Sequence, residues 1–217
     1  MADEEKKEIQ IRNGASEVAI INGQIKIAAS EKPVASKFVV DSGQIYMLID
    51  CSGSMKGVKT DQARSGTIDF VRDALKKGYQ IGLITFGDDA RLLSGPVADI
   101  QVMQIALKNI RAGGSTNLTA ALKLAHAKLK NFAGTKVIVV VTDGMPDSVK
   151  RSLEEAELIK RDQIDIITVG TDDADREFLK KLASRSELST KVTNDRFSQA
   201  ISDASFLLSS PKSIQKS

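Results

Sequence analysis

Val137-Ile138-Val139-Val140-Val141, running directly into Thr142-Asp143-Gly144, is the stretch on which the fold turns. Five β-branched residues in succession present no polar face, so the strand they form must be covered on both sides, as strands of parallel α/β sheets are. Segments on either side repeat the theme. Gln44 to Ile49 is a short apolar strand ending in Asp50, Tyr79 to Phe86 is another, and Ile164 to Val169 a third. Helical spacing separates them: Ala63, Phe70, Val71, Ala74 and Leu75; Leu118, Leu122, Ala125 and Leu129; then Val149, Leu153, Ala156 and Ile159. Gly78 stands where a helix over Lys59 to Lys77 should stop. Ala90–Leu93 reads as a short strand after the Gly87-Asp88-Asp89 turn, and Ala98, Val102, Ile105 and Ala106 as a helix. A short helix at Phe178, Leu179 and Leu182, an edge strand over Leu188–Val192 and a final helix from Phe197 to Leu208 complete the series. Strict alternation of this kind predicts a three-layer α/β domain with a doubly wound, mainly parallel sheet and one antiparallel edge strand.

Upstream the pattern differs. Residues 1–16 are polar and charged, a frayed tail by composition. Glu17–Ile21 and Gln24–Ile27 flank Asn22-Gly23, a strong signal for a β-hairpin. An isolated hairpin is marginal in water, so this one is expected to pair with or pack on the main domain, covering an otherwise open sheet edge. The expected division is a tail and β-hairpin extension over residues 1–41, the α/β domain over 42–210, and a C-terminal tail over 211–217.

The composition of the 217 residues excludes several functions. With 31 basic and 28 acidic residues the net charge is +3, too balanced to point to nucleic acid or a membrane surface. Two Tyr and no Trp leave little for base stacking. One Cys excludes an internal disulfide framework and a Cys-rich zinc site, and one His excludes a multi-His site. No apolar run approaches the roughly 18 residues of a membrane span, and the charged start is not a signal peptide. A cytoplasmic protein is expected.

A metal site built from oxygens remains open, and the strand ends supply one. In Asp50-Cys51-Ser52-Gly53-Ser54, alternation along the loop sends one carboxylate and two hydroxyls toward one point. Asp143 supplies a second carboxylate at a strand end, and Gly113-Gly114-Ser115-Thr116-Asn117 another hydroxyl before a helix. Two acids and several hydroxyls, with no His or Cys donor, suit Mg²⁺ or Mn²⁺. Cys51 points away from its neighbours and reads as buried packing; His126 reads as a half-exposed structural or surface residue with no role in the site. Asp172, Asp173 and Asp175 read as a helix cap before Phe178. Met55, Lys56 and Met145 are expected on the open side of the site, with Lys56 and Lys59 attracting an acidic partner.

These motifs resemble the metal-ion-dependent adhesion site of von Willebrand factor A domains. Asp50-x-Ser52-x-Ser54, Thr116 in Gly-Gly-Ser-Thr-Asn, and Asp143 in Val-Thr-Asp-Gly-Met-Pro fill its five positions in chain order, and the likeness covers roughly residues 42–208. The resemblance implies that Asp50, Ser52, Ser54 and Thr116 are metal ligands, direct or through water, and that Asp143 acts through water. The Thr-Asp-Gly-x-Pro form is similar to intracellular prokaryotic members, including the tellurite-resistance and metal-chelatase-associated groups. The family implies a protein-binding module and not an enzyme: a metal-dependent adaptor or scaffold whose ion is completed by an Asp or Glu of a protein partner.

One rival reading comes from Gly53-Ser54-Met55-Lys56-Gly57-Val58-Lys59-Thr60, which nearly spells the phosphate-binding loop of nucleoside triphosphatases. Val58 stands where that loop requires glycine, and Asp50 would repel a polyphosphate.

Overall fold

The computed structural model describes residues 10–13, 16–21, 24–28, 39–41, 43–171, 173–211 and 213–215. The chain divides into two units, Met1–Phe38 with Gln215–Ser217, and Val39–Ile214. In the first, strands β1 (Gln10–Asn13), β2 (Ser16–Ile21) and β3 (Gln24–Ala28) form an antiparallel three-stranded sheet in that order. Ile21 pairs with Gln24, as a two-residue hairpin loop requires, although Asn22-Gly23 itself lies outside the described residues. Strand β1 falls within the segment expected to be a tail. It gives the hairpin the third strand that a small sheet needs.

The second unit has the expected three-layer architecture. Its elements after β4 (Val39–Asp41) are β5 (Gly43–Asp50), α1 (Val58–Lys76), β6 (Tyr79–Phe86), β7 (Ala90–Val97), α2 (Ile100–Lys108), α3 (Leu118–Leu129), β8 (Thr135–Thr142), α4 (Val149–Arg161), β9 (Asp165–Gly170), α5 (Arg176–Leu182), β10 (Ser189–Lys191) and α6 (Phe197–Asp203). Strand β11 (Ser213–Gln215) lies in the expected C-terminal tail and pairs with β4. The main sheet runs β10-β9-β8-β5-β6-β7. All its pairings are parallel except β6 with β7, the antiparallel edge.

Side-chain alternation along the central strands shows why they carry no polar face. Ile45, Met47 and Ile49 of β5, with Val137, Val139 and Val141 of β8, enter one core with Phe70 of α1, Met103 of α2 and Ile201 of α6. Tyr46, Leu48, Ile138 and Val140 enter the opposite core with Leu122 of α3, Ile159 of α4 and Leu179 of α5. Each such side chain contributes about 1.5–3 kcal/mol by leaving water. The helix stop is where the sequence placed it: Gly78 has a φ of 86°, a left-handed conformation that glycine adopts without strain.

Register fixes the position of the site. Ile49 of β5 pairs with Val141 of β8, so the two strands run out side by side and Asp50 emerges beside Thr142 and Asp143. Both cores end at this edge, and the polar loops begin.

Candidate metal centre

Asp50 is buried at the end of β5, and its two oxygens are held differently. The Ser52 amide donates to Oδ1 at 2.8 Å, and the Thr142 hydroxyl donates to Oδ2 at 2.6 Å. No base faces it among the described residues. Burial pushes its carboxyl above the ordinary aspartate range, the Thr142 and Ser52 hydrogen bonds pull the other way, and nearby Asp143 adds to the rise.

Beyond Asp50 the chain makes one 3₁₀ turn over Gly53–Met55. The turn brings Ser52 Oγ within 3.0 Å of Ser54 Oγ, which in turn donates to Asp143 Oδ1 at 2.8 Å. A carboxylate only accepts, so Ser54 uses its hydrogen on Asp143 and receives that of Ser52. The result is a relay of oxygens, Ser52 to Ser54 to Asp143, spanning two strand ends. Asp143 is fully buried and Ser54 exposed, so the relay opens to the outside at Ser54.

The loop that carries Thr116 is fastened to the other two by hydrogen bonds of its backbone. The Gly113–Thr116 loop is tied to the Asp50 loop by Gly113 N to Cys51 O (2.6 Å) and Gly53 N to Gly114 O (3.1 Å). Thr116 is tied to the Asp143 loop by its amide donating to Asp147 Oδ1 and by Asp147 N donating to Thr116 O, each 3.0 Å. Gly114 has a φ of 83°, and a Cβ there would lie 2.6 Å from the Asp88 carboxylate. That carboxylate accepts from the Ser115 amide at 2.8 Å, which holds Asp88 below the ordinary range. The turn read at Asp88 therefore also braces the Thr116 loop.

The structure thus links Ser52, Ser54 and Asp143 by side-chain hydrogen bonds and joins Asp50 to them through the Ser52 amide; it ties the Thr116 loop to theirs by other residues, and among the described residues the Thr116 hydroxyl makes no hydrogen bond to the other four. Among the described residues no three His, Cys, Asp or Glu side chains gather as a metal-holding group. The constellation has two acids, and its remaining oxygens are neutral. A cavity of about 360 Å³ opens beside it, lined by Cys51, Phe86, Asp88, Arg91 and Arg111 among others, and none of the five residues lines that cavity.

Three expectations are corrected. Met55 does not face the open side; the 3₁₀ turn folds it into the core at 0% exposure, and Thr60 Oγ1 donates to its carbonyl at 2.6 Å. Met145, at 43% exposure, does face outward. Lys59 is not a free attractor for a partner: its ammonium lies 2.7 Å from Asp143 Oδ2 and 2.7 Å from Asp173 Oδ2. Asp173 is therefore an ion-pair partner and not a cap; Asp175 alone caps α5, accepting from the Phe178 amide at 2.6 Å. Asp172 lies outside the described residues. Burial works against the charge on Lys59, but the hydrogen bonds and charges of Asp143 and Asp173 outweigh it and raise the ammonium above its ordinary range. Cys51 is buried as expected, with its thiol pushed up to about 12 by burial and by Asp50. His126 takes a structural place, as expected: Nδ1 meets Glu155 and Nε2 meets Asp162, each at 2.7 Å.

The von Willebrand factor type A domain family matches residues 44–205. The chain belongs to that family. Von Willebrand factor A domains are commonly metal-dependent protein-interaction modules. The human von Willebrand factor A domain-containing protein 3B is 32% identical over 149 residues, covering 64% of this chain and 11% of that protein. The human collagen alpha-6(VI) chain is 28% identical over 155 residues, covering 66% of this chain and 7% of that protein. The chain therefore spans only a small part of the curated relatives it matches. Among solved structures, proximal thread matrix protein 1 of the mussel byssus, described with a zinc-occupied adhesion site, superposes with a TM-score of 0.69. It is 20% identical, over 82% of this chain and 48% of that one. The von Willebrand factor type A protein of Catenulispora acidiphila gives a TM-score of 0.66 at 19% identity, over 88% and 45% of the two chains. At such identities the likeness is one of fold. No described helix is long and apolar enough to cross a membrane.

Proposed function

We propose that the domain is a metal-dependent protein-binding module in which Asp50, Ser52, Ser54, Thr116 and Asp143 hold a divalent cation. The observation that carries this is the relay of oxygens from Ser52 through Ser54 to Asp143, set beside a buried Asp50 whose hydrogen-bond partners among the described residues are the neutral Ser52 amide and Thr142 hydroxyl. A buried carboxylate without a cation is costly, and a hydroxyl whose hydrogen is taken by a carboxylate turns lone pairs outward. The donor set is entirely hard oxygen, which favours Mg²⁺ or Mn²⁺ over the softer zinc.

When bound, the ion supplies a Lewis-acidic point able to accept one further oxygen, offered by an Asp or Glu of a protein partner. The chain's own residues shape that contact. Ser54 and Met145 are exposed at the opening, while Asp50 and Asp143 are sunk beneath it. Thr116 is held in place by Asp147 on one side and by the Gly113-Gly114 turn on the other. The nucleotide-binding alternative finds no support, because Lys59, its essential base, is engaged by two carboxylates. Placement in the cytoplasm, among the intracellular prokaryotic members, fits the Thr142-Asp143-Gly144-Met145-Pro146 form and the single buried cysteine.

The test is calorimetry with Mg²⁺ and Mn²⁺ on the wild type and on Asp50→Ala, followed by partner capture on the immobilised domain with and without chelator. The variant is expected to bind metal at least about 10-fold more weakly, the cost of losing even an outer partner of a metal ligand. Capture is expected to require the metal and to fail when one partner carboxylate becomes an amide. Equal metal affinity in wild type and variant would remove the site, and undiminished capture in excess chelator would move recognition to another surface.

A further inference from the structure

We propose that Lys59 is a tethered cation that competes with the divalent ion for Asp143 and so sets the affinity of the site. The proposal rests on the metal-dependent reading above and deepens it. Both oxygens of the fully buried Asp143 are occupied: Oδ1 accepts from Ser54, and Oδ2 from Lys59. The first bond is compatible with metal ligation, since it spends the serine hydrogen and, with one lone pair given to Ser52, leaves the other free. The second is not, since an ammonium has no lone pair to share and its positive charge stands where a divalent ion would draw on the same carboxylate.

The position of Lys59 in the chain argues that this placement is built in. It is the second residue of α1, at the positive end of the helix, where a cation is disfavoured unless acids answer it. Two acids do, from loops 84 and 114 residues further along the chain. They are unequal. Asp143 is fully buried, whereas Asp173 is 63% exposed at the rim. The ammonium therefore has a second anchor when it leaves the first. In the metal-free protein Lys59 neutralises Asp143 and joins α1 to the β8 and β9 loops. With metal present it keeps Asp173 alone, and Asp143 turns its charge to the ion. Asp173 thus acts as the resting place that makes release of Asp143 affordable, and Lys59 as the threshold that the ion must overcome.

The two carboxylate contacts predict opposite effects. Removing the ammonium with Lys59→Met should tighten Mg²⁺ and Mn²⁺ binding by about 10-fold, the scale of one unit charge close to a divalent site at the protein surface. Asp173→Asn should weaken binding by roughly 3-fold, because it removes the alternative anchor and one nearby negative charge. Lys59→Arg, which keeps the charge, should stay near wild type. The experiment is calorimetric titration of all four proteins with each metal, with circular dichroism melts to show that the variants are folded. Tighter binding in Lys59→Met, including binding that appears there when the wild type shows none, supports the proposal. Equal or weaker binding in Lys59→Met with a wild type that binds overturns it and leaves the metal site standing, with Lys59 positioning Asp143. No binding in any of the four proteins overturns the metal reading and this proposal together.

Discussion

Two places in the domain set one base between two acids, and they do different work. At the carboxyl ends of the strands Lys59 lies between Asp143 and Asp173. On one outer layer His126 of α3 lies between Glu155 of α4 and Asp162 at the end of α4. The distances are the same, 2.7 Å in all four contacts. In the helix layer, Glu155 and Asp162 have no part in the oxygen relay, so the bridge is a fastening. At the strand ends Asp143 also belongs to Ser54 and to the proposed donor set, so the same chemistry becomes a gate. Whether a bridge holds or regulates depends on what else its acids are asked to contact.

Breaking the fastening should have the largest effect on stability. His126→Ala leaves the buried Glu155 carboxylate without its partner, at a cost of about 2 kcal/mol. The melting temperature should fall by roughly 4–8 °C for a domain of this size, with Mg²⁺ affinity unchanged in calorimetry. A shift in metal affinity would mean that the two bridges communicate.

Asp50 sharpens the comparison, because it is a buried acid that no base faces among the described residues. In excess chelator Asp50→Asn should raise stability by about 1 kcal/mol, or roughly 2–4 °C, since the amide oxygen still accepts from the Ser52 amide, its NH2 donates to a Thr142 hydroxyl whose hydrogen turns to the Gly144 carbonyl, and a desolvated charge is shed. The sign follows from linkage. Burial raises the Asp50 carboxyl in the folded state, so the folded protein holds its proton more tightly and the wild type loses stability as pH rises from the ordinary aspartate range through the raised one. The amide variant should lack that loss, and a chelated melt series across acidic pH would show it. An Asn variant less stable than wild type at neutral pH would mean that the carboxylate is satisfied without metal.

The smallest effect belongs to the outer half of the helix bridge. Asp162 is 46% exposed, and Asp162→Asn should cost well under ~1 kcal/mol, as exposed pairs do. Thermal melts of this variant beside His126→Ala separate the contributions of the two acids. A fall equal to that of His126→Ala would place the fastening at Asp162 instead of Glu155.

The parallel sheet, its order of elements and the candidate donors were legible because each depends on short-range pattern. Unbroken β-branched runs announce strands covered on both faces, and the oxygens sit directly at their ends. What escaped depends on reach across the fold. Met55 reads as loop, and only the 3₁₀ turn reveals that it is core. Lys59 reads as surface because its acids lie far along the chain, although a lysine in the first turn of a helix was itself a sign that acids stood near. Thr142 and Asp147, which steady Asp50 and Thr116, looked like ordinary strand and turn residues. Strand β1 escaped because four residues in a charged stretch carry too little alternation to distinguish them from tail.

The sheet order has a consequence for how the molecule comes into being. Strand β5 pairs on one side with β6, where Gly43 meets Tyr79, and on the other with β8, where Gly43 meets Thr135. The Ser54–Asp143 contact closes a span of 89 residues. During synthesis, at about 5–20 residues per second, the Asp50 loop exists for on the order of ten seconds before the strand that completes it has been made. Local helices and the β5–β6 pair can form in that interval, but the donor set cannot, because it requires the slower, non-local docking of β8. Possession of the site is therefore a late event in the life of the nascent chain, and a report that the central sheet has closed.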